Sequence, residues 1–173
     1  RYASRGLGDV YKRQFLYYPM ALTHSPFHPD PDHPEYKSLR SSFKGSDPSF
    51  FGSNVKYMDK LVGRLQEKLR ELEIEDNTVI IFVGDNGTDR RITSQTKSGE
   101  VLGRKGHTTL AGTHVPMIVS WPAVIKTGSV NDNLIDFTDF VPTLMEMARG
   151  SVPKDFMTDG HSFMGQLTGE ADG

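Results

Sequence analysis

At 173 residues the chain is long enough for one domain with a sizeable core, since a chain of this size buries about 70% of its unfolded surface. Lysine plus arginine number 20 against 22 acids, a net charge of −2, which gives no electrostatic case for nucleic acid or an anionic membrane surface. Cysteine is absent, which excludes disulfides, thiolate metal sites and a Cys nucleophile within the chain, and no apolar run approaches the roughly eighteen residues of a membrane span.

Residues 1–14 fit nothing that follows. They end in Asp9-Val10-Tyr11-Lys12-Arg13-Gln14, which resembles an in-frame translation of a transposon adaptor used in sequencing-library preparation, so this segment is expected to be non-native and is set apart from residues 15–173. The alternative is a native basic arm. Phe15 to Leu22 is an apolar run that reads as a buried strand, with Pro19 near an irregularity. It empties into Thr23-His24-Ser25-Pro26-Phe27, which would leave His24 at a strand end.

Pro26 to Lys44 is rich in Pro, His and Asp and reads as a long loop, with residues held extended before prolines. His24, His28 and His33 with Asp30 and Asp32 invite a transition-metal reading. The prolines break the regular spacing that would converge them on an ion, so a solvated loop wall is the expectation.

Between Phe51 and Leu72 the apolar residues Phe51, Val55, Met58, Leu61, Val62, Leu65, Leu69 and Leu72 recur at helical spacing. The opposite face carries Lys56, Lys60, Arg64, Glu67, Lys68 and Glu71, an ordinary solvated surface. Asp76-Asn77 then turns the chain into Thr78 to Val83, β-branched and aromatic, closed by Gly84-Asp85-Asn86-Gly87. This reads as a fully buried strand that delivers two oxygen ligands at its C-terminal edge, where open α/β sheets keep their chemistry. Asn86-Gly87 is also a hairpin signal, but the polar run from Thr88 onward offers no immediate return strand.

Thr88 to Leu102 reads as a polar loop. In it Arg90 and Arg91 either engage an anionic sugar or are simply solvated. Gly103-Arg104-Lys105-Gly106 puts Lys105 on backbone that can approach a ligand closely, against the plainer reading of a flexible turn. Val115 to Trp121 reads as a third buried strand stopped by Pro122. The last clear helix runs from about Asp139 to Arg149, with Pro142 in its first turn, capping from Asp136, Thr138 or Asp139, and Gly150 as its stop. Beyond it, Phe163 and Leu167 are the expected packing anchors.

Together these pieces resemble the C-terminal part of a sulfatase catalytic domain of the alkaline-phosphatase-like superfamily. The resemblance rests on Thr23-His24-Ser25-Pro26-Phe27, on the helix followed by Asp76 to Gly87, on Lys105-Gly106 before Val115-Pro116, and on Asp136-Phe137-Thr138-Asp139-Phe140-Val141-Pro142-Thr143-Leu144. It implies an incomplete α/β/α sandwich with a mostly parallel central sheet. It further implies that Asp85 and Asn86 are ligands of a divalent cation, usually calcium, and that Lys105 and His24 touch the sulfate ester. The residue types suit those roles: hard oxygens for calcium, an ammonium for sulfate oxygens, and an imidazole to hydrogen-bond or protonate the leaving oxygen.

The departures from the family pattern are as informative. Sulfatases use a formylglycine made within C-x-P-x-R or S-x-P-x-R, and neither motif occurs here; in Ser46-Asp47-Pro48-Ser49-Phe50 the last residue stands where Arg is required. The paired N-terminal aspartates of the metal site are missing too. Truncation is the economical explanation, and with formylglycine in a missing N-terminal part the chain alone is expected to be inactive. Leu110 and His114 stand where many relatives carry an acid and an arginine. The resemblance implies a sulfate-ester substrate, with sulfated carbohydrate a candidate, and a periplasmic or secreted address. A phosphonate monoester hydrolase or phosphodiesterase of the same superfamily, and a non-catalytic binding module of the same fold, remain alternatives.

Overall fold

The computed structural model describes residues 14–170, so the adaptor-like segment lies almost wholly outside the described residues. The chain divides into two compact units, Pro19–Trp121 and a second formed by Pro122–Gly173 with the residues up to Tyr18.

The first unit opens on helix α1 (Tyr36–Ser42), which the proline-rich reading of this stretch did not anticipate. Its start falls two residues after Pro34, the last proline before a run free of them. A 3-10 turn, Pro48–Phe50, is capped by the Asp47 carboxylate, which accepts from the Ser49 N–H at 2.9 Å. That bond holds the Asp47 carboxyl below its ordinary value.

The long helix α2 (Phe51–Glu71) follows. Its apolar stripe is half-buried, with Val55 and Leu65 just over the edge of exposure and Asn54 alone fully buried. The chain leaves the helix through Glu73 in the left-handed region, φ 56°. The Ile74 N–H then donates to the Leu69 carbonyl at 3.0 Å, satisfying one of the carbonyls that a helix end leaves open.

Strand β1 (Ile80–Val83) pairs with β4 (Met117–Ser120) in antiparallel register, Ile80 opposite Ser120 and Val83 opposite Met117. Between them come the hairpin β2 (Thr93–Thr96) and β3 (Gly99–Leu102) and the one-turn helix α3 (Leu110–Thr113).

Four expectations are corrected here. The strands described pair antiparallel in both two-stranded sheets, not parallel. A parallel return needs a crossover, usually built on a helix, and the stretch from β1 to β4 carries only the hairpin and one helical turn. Phe15 to Leu22 forms no strand: Phe15, Leu16 and Tyr17 are about three-quarters exposed, and an apolar run becomes a strand only where a partner takes its N–H and C=O groups. His24 accordingly stands in a turn, its N–H on the Ala21 carbonyl at 2.9 Å, and not at a strand end. The polar stretch after Gly87 does hold strands, because Lys97-Ser98 with Gly99 at φ 116° closes a tight two-residue hairpin turn.

Phe27 is fully buried and Ile92 nearly so. The Phe27 ring meets Phe51 edge-on at 5.8 Å, His28 meets Phe43 at 5.2 Å, and His33 meets Phe50 at 5.2 Å. His28 and His33 thus meet aromatic edges, while His24 and His28 remain exposed, as a solvated loop wall predicts.

In the second unit, α4 (Phe140–Met147) is preceded by a 3-10 turn, Phe137–Asp139, with a reciprocal cap. Asp136 accepts from the Thr138 N–H at 2.7 Å and Asp139 accepts from the Asp136 N–H at 2.9 Å. The helix ends on Arg149 in the left-handed region, φ 58°, one residue before the expected Gly150. Helix α5 (Met164–Thr168) follows Phe163, which is 2% exposed and meets Phe140 at 5.7 Å, as expected of a packing anchor. Thr143, wholly buried, joins the two: its hydroxyl donates to the Asp139 carbonyl at 2.6 Å and accepts from the Phe163 N–H at 3.0 Å.

Candidate functional site

The edge at the C-terminal end of β1 is built from backbone contacts made possible by three glycines. The Gly84 N–H donates to the Pro116 carbonyl at 3.2 Å, carrying the β1–β4 ladder one step past the strands. The Gly87 N–H then donates to the Gly112 carbonyl at 2.9 Å, and a Cβ on Gly87 would lie 2.2 Å from the Ala111 oxygen. Only a residue without a side chain lets the turn dock on α3 so closely. A Cβ on Gly103 would lie 2.1 Å from the Asp89 oxygen, and one on Gly112 would lie 2.1 Å from the His107 oxygen.

Across this seam the Thr88 carbonyl accepts from the Lys105 N–H at 3.0 Å. Lys105 sits in a turn shaped by Gly106 at φ 83°, with the His107 N–H on the Arg104 carbonyl at 2.9 Å. The Asp85-Asn86 turn and the Lys105 turn, eighteen residues or more apart in the chain, are therefore stitched into one edge. Asp85 is exposed and Asn86 and Lys105 half-buried, so the acid, the amide and the ammonium remain open to a ligand while their backbones are fixed. Leu110 and His114, at the two ends of α3, are both exposed close by in the chain.

The contacts that join those turns do not include His24. Its ring Nδ1 lies 2.5 Å from the carbonyl oxygen of Ser25, and it lines a cleft of about 300 Å³ with Tyr36, Arg40, Asn54 and Tyr57. Asp30 lines the same cleft, 5% exposed, with Oδ1 accepting from the Asp32 N–H at 2.9 Å and Oδ2 given no donor by the protein; Asn54 Oδ1, 3% exposed, has none either.

The electrostatic centre of the region is a pair the sequence reading had not singled out. Arg91 donates from Nε to Asp89 Oδ1 and from Nη2 to Asp89 Oδ2, both at 3.0 Å, and its backbone N–H reaches Oδ1 at 2.9 Å. These bonds, with the charges of Arg91 and Lys105, bring the Asp89 carboxyl down from 3.8 to about 2, and the same pairing raises Arg91. The guanidinium also lies over the Phe27 ring at 5.1 Å. Arg91 is thus paired within the protein while its side chain stays 46% exposed, in keeping with the solvated reading. The one signal available in the sequence was an acid two residues before an arginine in a turn.

Donor chemistry at Asp85 and Asn86 fits a hard divalent cation: one carboxylate and one amide carbonyl, about two of the six to eight oxygens calcium takes. Among the described residues no group of three acids or histidines could complete a shell.

The edge thus brings an acid and an amide into one seam with a glycine-flanked lysine on a mixed α/β scaffold. The sulfatase family profile matches residues 5–151, and the chain belongs to the sulfatase family. It is 31% identical over 150 residues to the ulvan-active sulfatase of Formosa agariphila, covering 82% of this chain and 27% of that protein. Among solved structures it is similar to Ps i-CgsB, with a TM-score of 0.68 and 26% identity over 86% of this chain and 32% of that one. It also shares its fold with BT4656, solved with its substrate D-glucosamine-2-N,6-O-disulfate, at a TM-score of 0.55 and 24% identity over 79% of this chain and 28% of that one. The fold is an incomplete alkaline-phosphatase-like α/β fold, and the chain spans about a quarter of the length of the curated relatives it matches.

Proposed function

We propose that the complete protein carrying this chain is a metal-dependent hydrolase of sulfate esters, and that residues 15–173 supply one half of its site. The observation that carries the reading is the Thr88–Lys105 backbone bond in a sulfatase-family chain, which fixes the Asp85-Asn86 turn and the Lys105 turn on one edge.

In this reading Asp85 and Asn86 hold a divalent cation, calcium by the chemistry of their oxygens. A bound cation would polarise the ester and neutralise its oxygens. The Lys105 ammonium offsets charge on the sulfate or on the leaving oxygen as it develops, without needing a fork. His24 hydrogen-bonds that oxygen or protonates it. The nucleophile, a formylglycine hydrate, comes from outside this chain together with the remaining acids of the cation shell, so the 173 residues alone do not turn over substrate. A sulfated sugar is the proposed substrate, on the likeness to the ulvan-active sulfatase and to the fold solved with a glucosamine disulfate. The proposed address is periplasmic or secreted.

The test compares the complete protein on a sulfate ester and a phosphodiester of the same phenol, with and without Lys105→Ala. Sulfate hydrolysis that the substitution removes supports the proposal. A large preference for the phosphodiester, or a Lys105→Ala protein as active as its parent, overturns it.

A further inference from the structure

Arg91 stands between the two parts of the proposed site. On one side lies Asp89, whose backbone oxygen accepts from the buried Ile92 at 3.0 Å and faces Gly103 across the seam; its neighbour Thr88 holds Lys105. On the other lies Phe27, three residues after His24 and wholly buried. The Phe27 N–H donates to Ser46 Oγ at 2.9 Å, its carbonyl accepts from the Asp47 N–H at 3.1 Å, and Arg91 Nη1 reaches the same Ser46 Oγ at 3.4 Å.

We propose that Arg91 is a positioning residue: its two-point pairing with Asp89 and its seat on the Phe27 ring tie the segment carrying His24 to the loop carrying Asp85, Asn86 and Lys105. The inference rests on the function proposed above, because it concerns the spacing those groups need to grip one sulfate. Three features separate this pair from an ordinary surface ion pair, which is worth about 0–1 kcal/mol. The pairing is forked, so it fixes orientation as well as distance. One face of the guanidinium is backed by an aromatic ring. Its donors reach both Asp89, beside the lysine turn, and Ser46, which anchors the histidine segment. With its fork taken up by Asp89, Arg91 acts on the site through the residues it holds. A lysine at this position keeps the charge but has neither the fork nor the stacking plane.

The experiment is a titration of the complete protein carrying this chain with inorganic sulfate, followed by amide NMR, for the parent, Arg91→Gln and Arg91→Lys, with melting temperatures alongside. In the parent, sulfate is expected to shift the amides of both Lys105 and His24. Arg91→Gln is expected to keep the α2 signals in place, weaken sulfate binding by about tenfold and lose the His24 response while keeping that at Lys105. Arg91→Lys is expected to restore little of it. If Arg91→Gln fails to fold, Asp89→Asn removes the fork from the other side and serves the same comparison. A parent that responds at both residues and variants that respond identically would overturn the positioning role and leave the functional proposal standing. A parent in which sulfate leaves Lys105 unmoved would overturn the functional proposal, and this one with it.

Discussion

Replacing Gly87 with alanine adds one methyl group at the tightest point of the site, and the structure allows its cost to be worked out. The backbone of Gly87 is not in the left-handed region, so alanine is not strained by its own φ; what it meets is the neighbouring chain. The new Cβ would lie 2.2 Å from the Ala111 oxygen and 2.7 Å from the Gly112 Cα, where ordinary contact begins at 3.4 Å. Both neighbours are backbone, so no side chain can swing away, and the turn or α3 must yield by about 1 Å. Overpacking of this kind costs about 1–3 kcal/mol. The same movement breaks the 2.9 Å bond from the Gly87 N–H to the Gly112 carbonyl, worth about 1 kcal/mol. Together these give about 2–4 kcal/mol, a fall in melting temperature of roughly 4–16 °C for a chain of this size. Gly63→Ala in α2 is the control: nothing lies within 4 Å of its Cβ, and alanine in a helix is favoured by about 0.5–1 kcal/mol, so that variant should melt slightly higher. Calorimetry of the two variants beside the parent decides the matter. A Gly87→Ala protein melting within about 2 °C of the parent would show that the turn does not dock on α3 as described.

Thr143→Val keeps the shape of the side chain but leaves the Phe163 N–H without its acceptor at 3.0 Å, and should cost about 1–3 kcal/mol in urea unfolding, while Thr143→Ser should cost less. The low Asp89 value gives a pH signature: a carboxyl shifted down from 3.8 to about 2 stabilises the fold fully above pH 4 and loses that contribution as pH falls through 2. The melting-temperature gap between the parent and Asp89→Asn should therefore be widest above pH 4 and close toward pH 2; a gap constant across that range would refute the pairing. In the complete protein, Asp85→Ala should weaken the proposed calcium binding, read by isothermal titration, and abolish activity, whereas Lys60→Ala removes only an exposed 2.6 Å pair with Asp32 and should do neither, at a cost below about 1 kcal/mol. Equal effects from the two would mean the cation sits elsewhere.

Periodicity carried the sequence reading furthest where a segment supplies its own hydrogen bonds. The stripe from Phe51 to Leu72 and the capped run from Asp136 to Arg149 became helices almost at their expected limits, because a helix closes its ladder locally. Ile80–Val83 and Met117–Ser120 were legible as strands, being short, rich in β-branched residues and closed by Gly84 and Pro122, but they are half-buried, with Ile118 62% exposed, and not the buried strands expected, because a two-stranded sheet has too few neighbours to cover both faces. Phe15 to Leu22 is also apolar but has no β-branched residue and is not a strand, since its ladder would have had to come from another segment and none among the described residues provides it. The hairpin at Thr93–Leu102 was hidden for the converse reason: its residues are polar, and pairing with each other is what makes them strands.

The amino-acid sequence alone determined the long helix from Phe51, the capped helix after Asp136 and the turns that close them, and it supplied Asp85, Asn86, Lys105 and His24 as the groups of the proposed site. It also showed which groups this chain does not hold, the nucleophile motif above all. Only the tertiary structure decided which of them share an edge, through the Thr88–Lys105 bond and glycines that admit backbone to within a methyl's width. Only there, too, did an arginine that reads as a surface charge prove to be held between Asp89 and Phe27. The reason is physical: a residue's type is local information, whereas contact between loops depends on sterics and hydrogen bonds among residues distant in the chain.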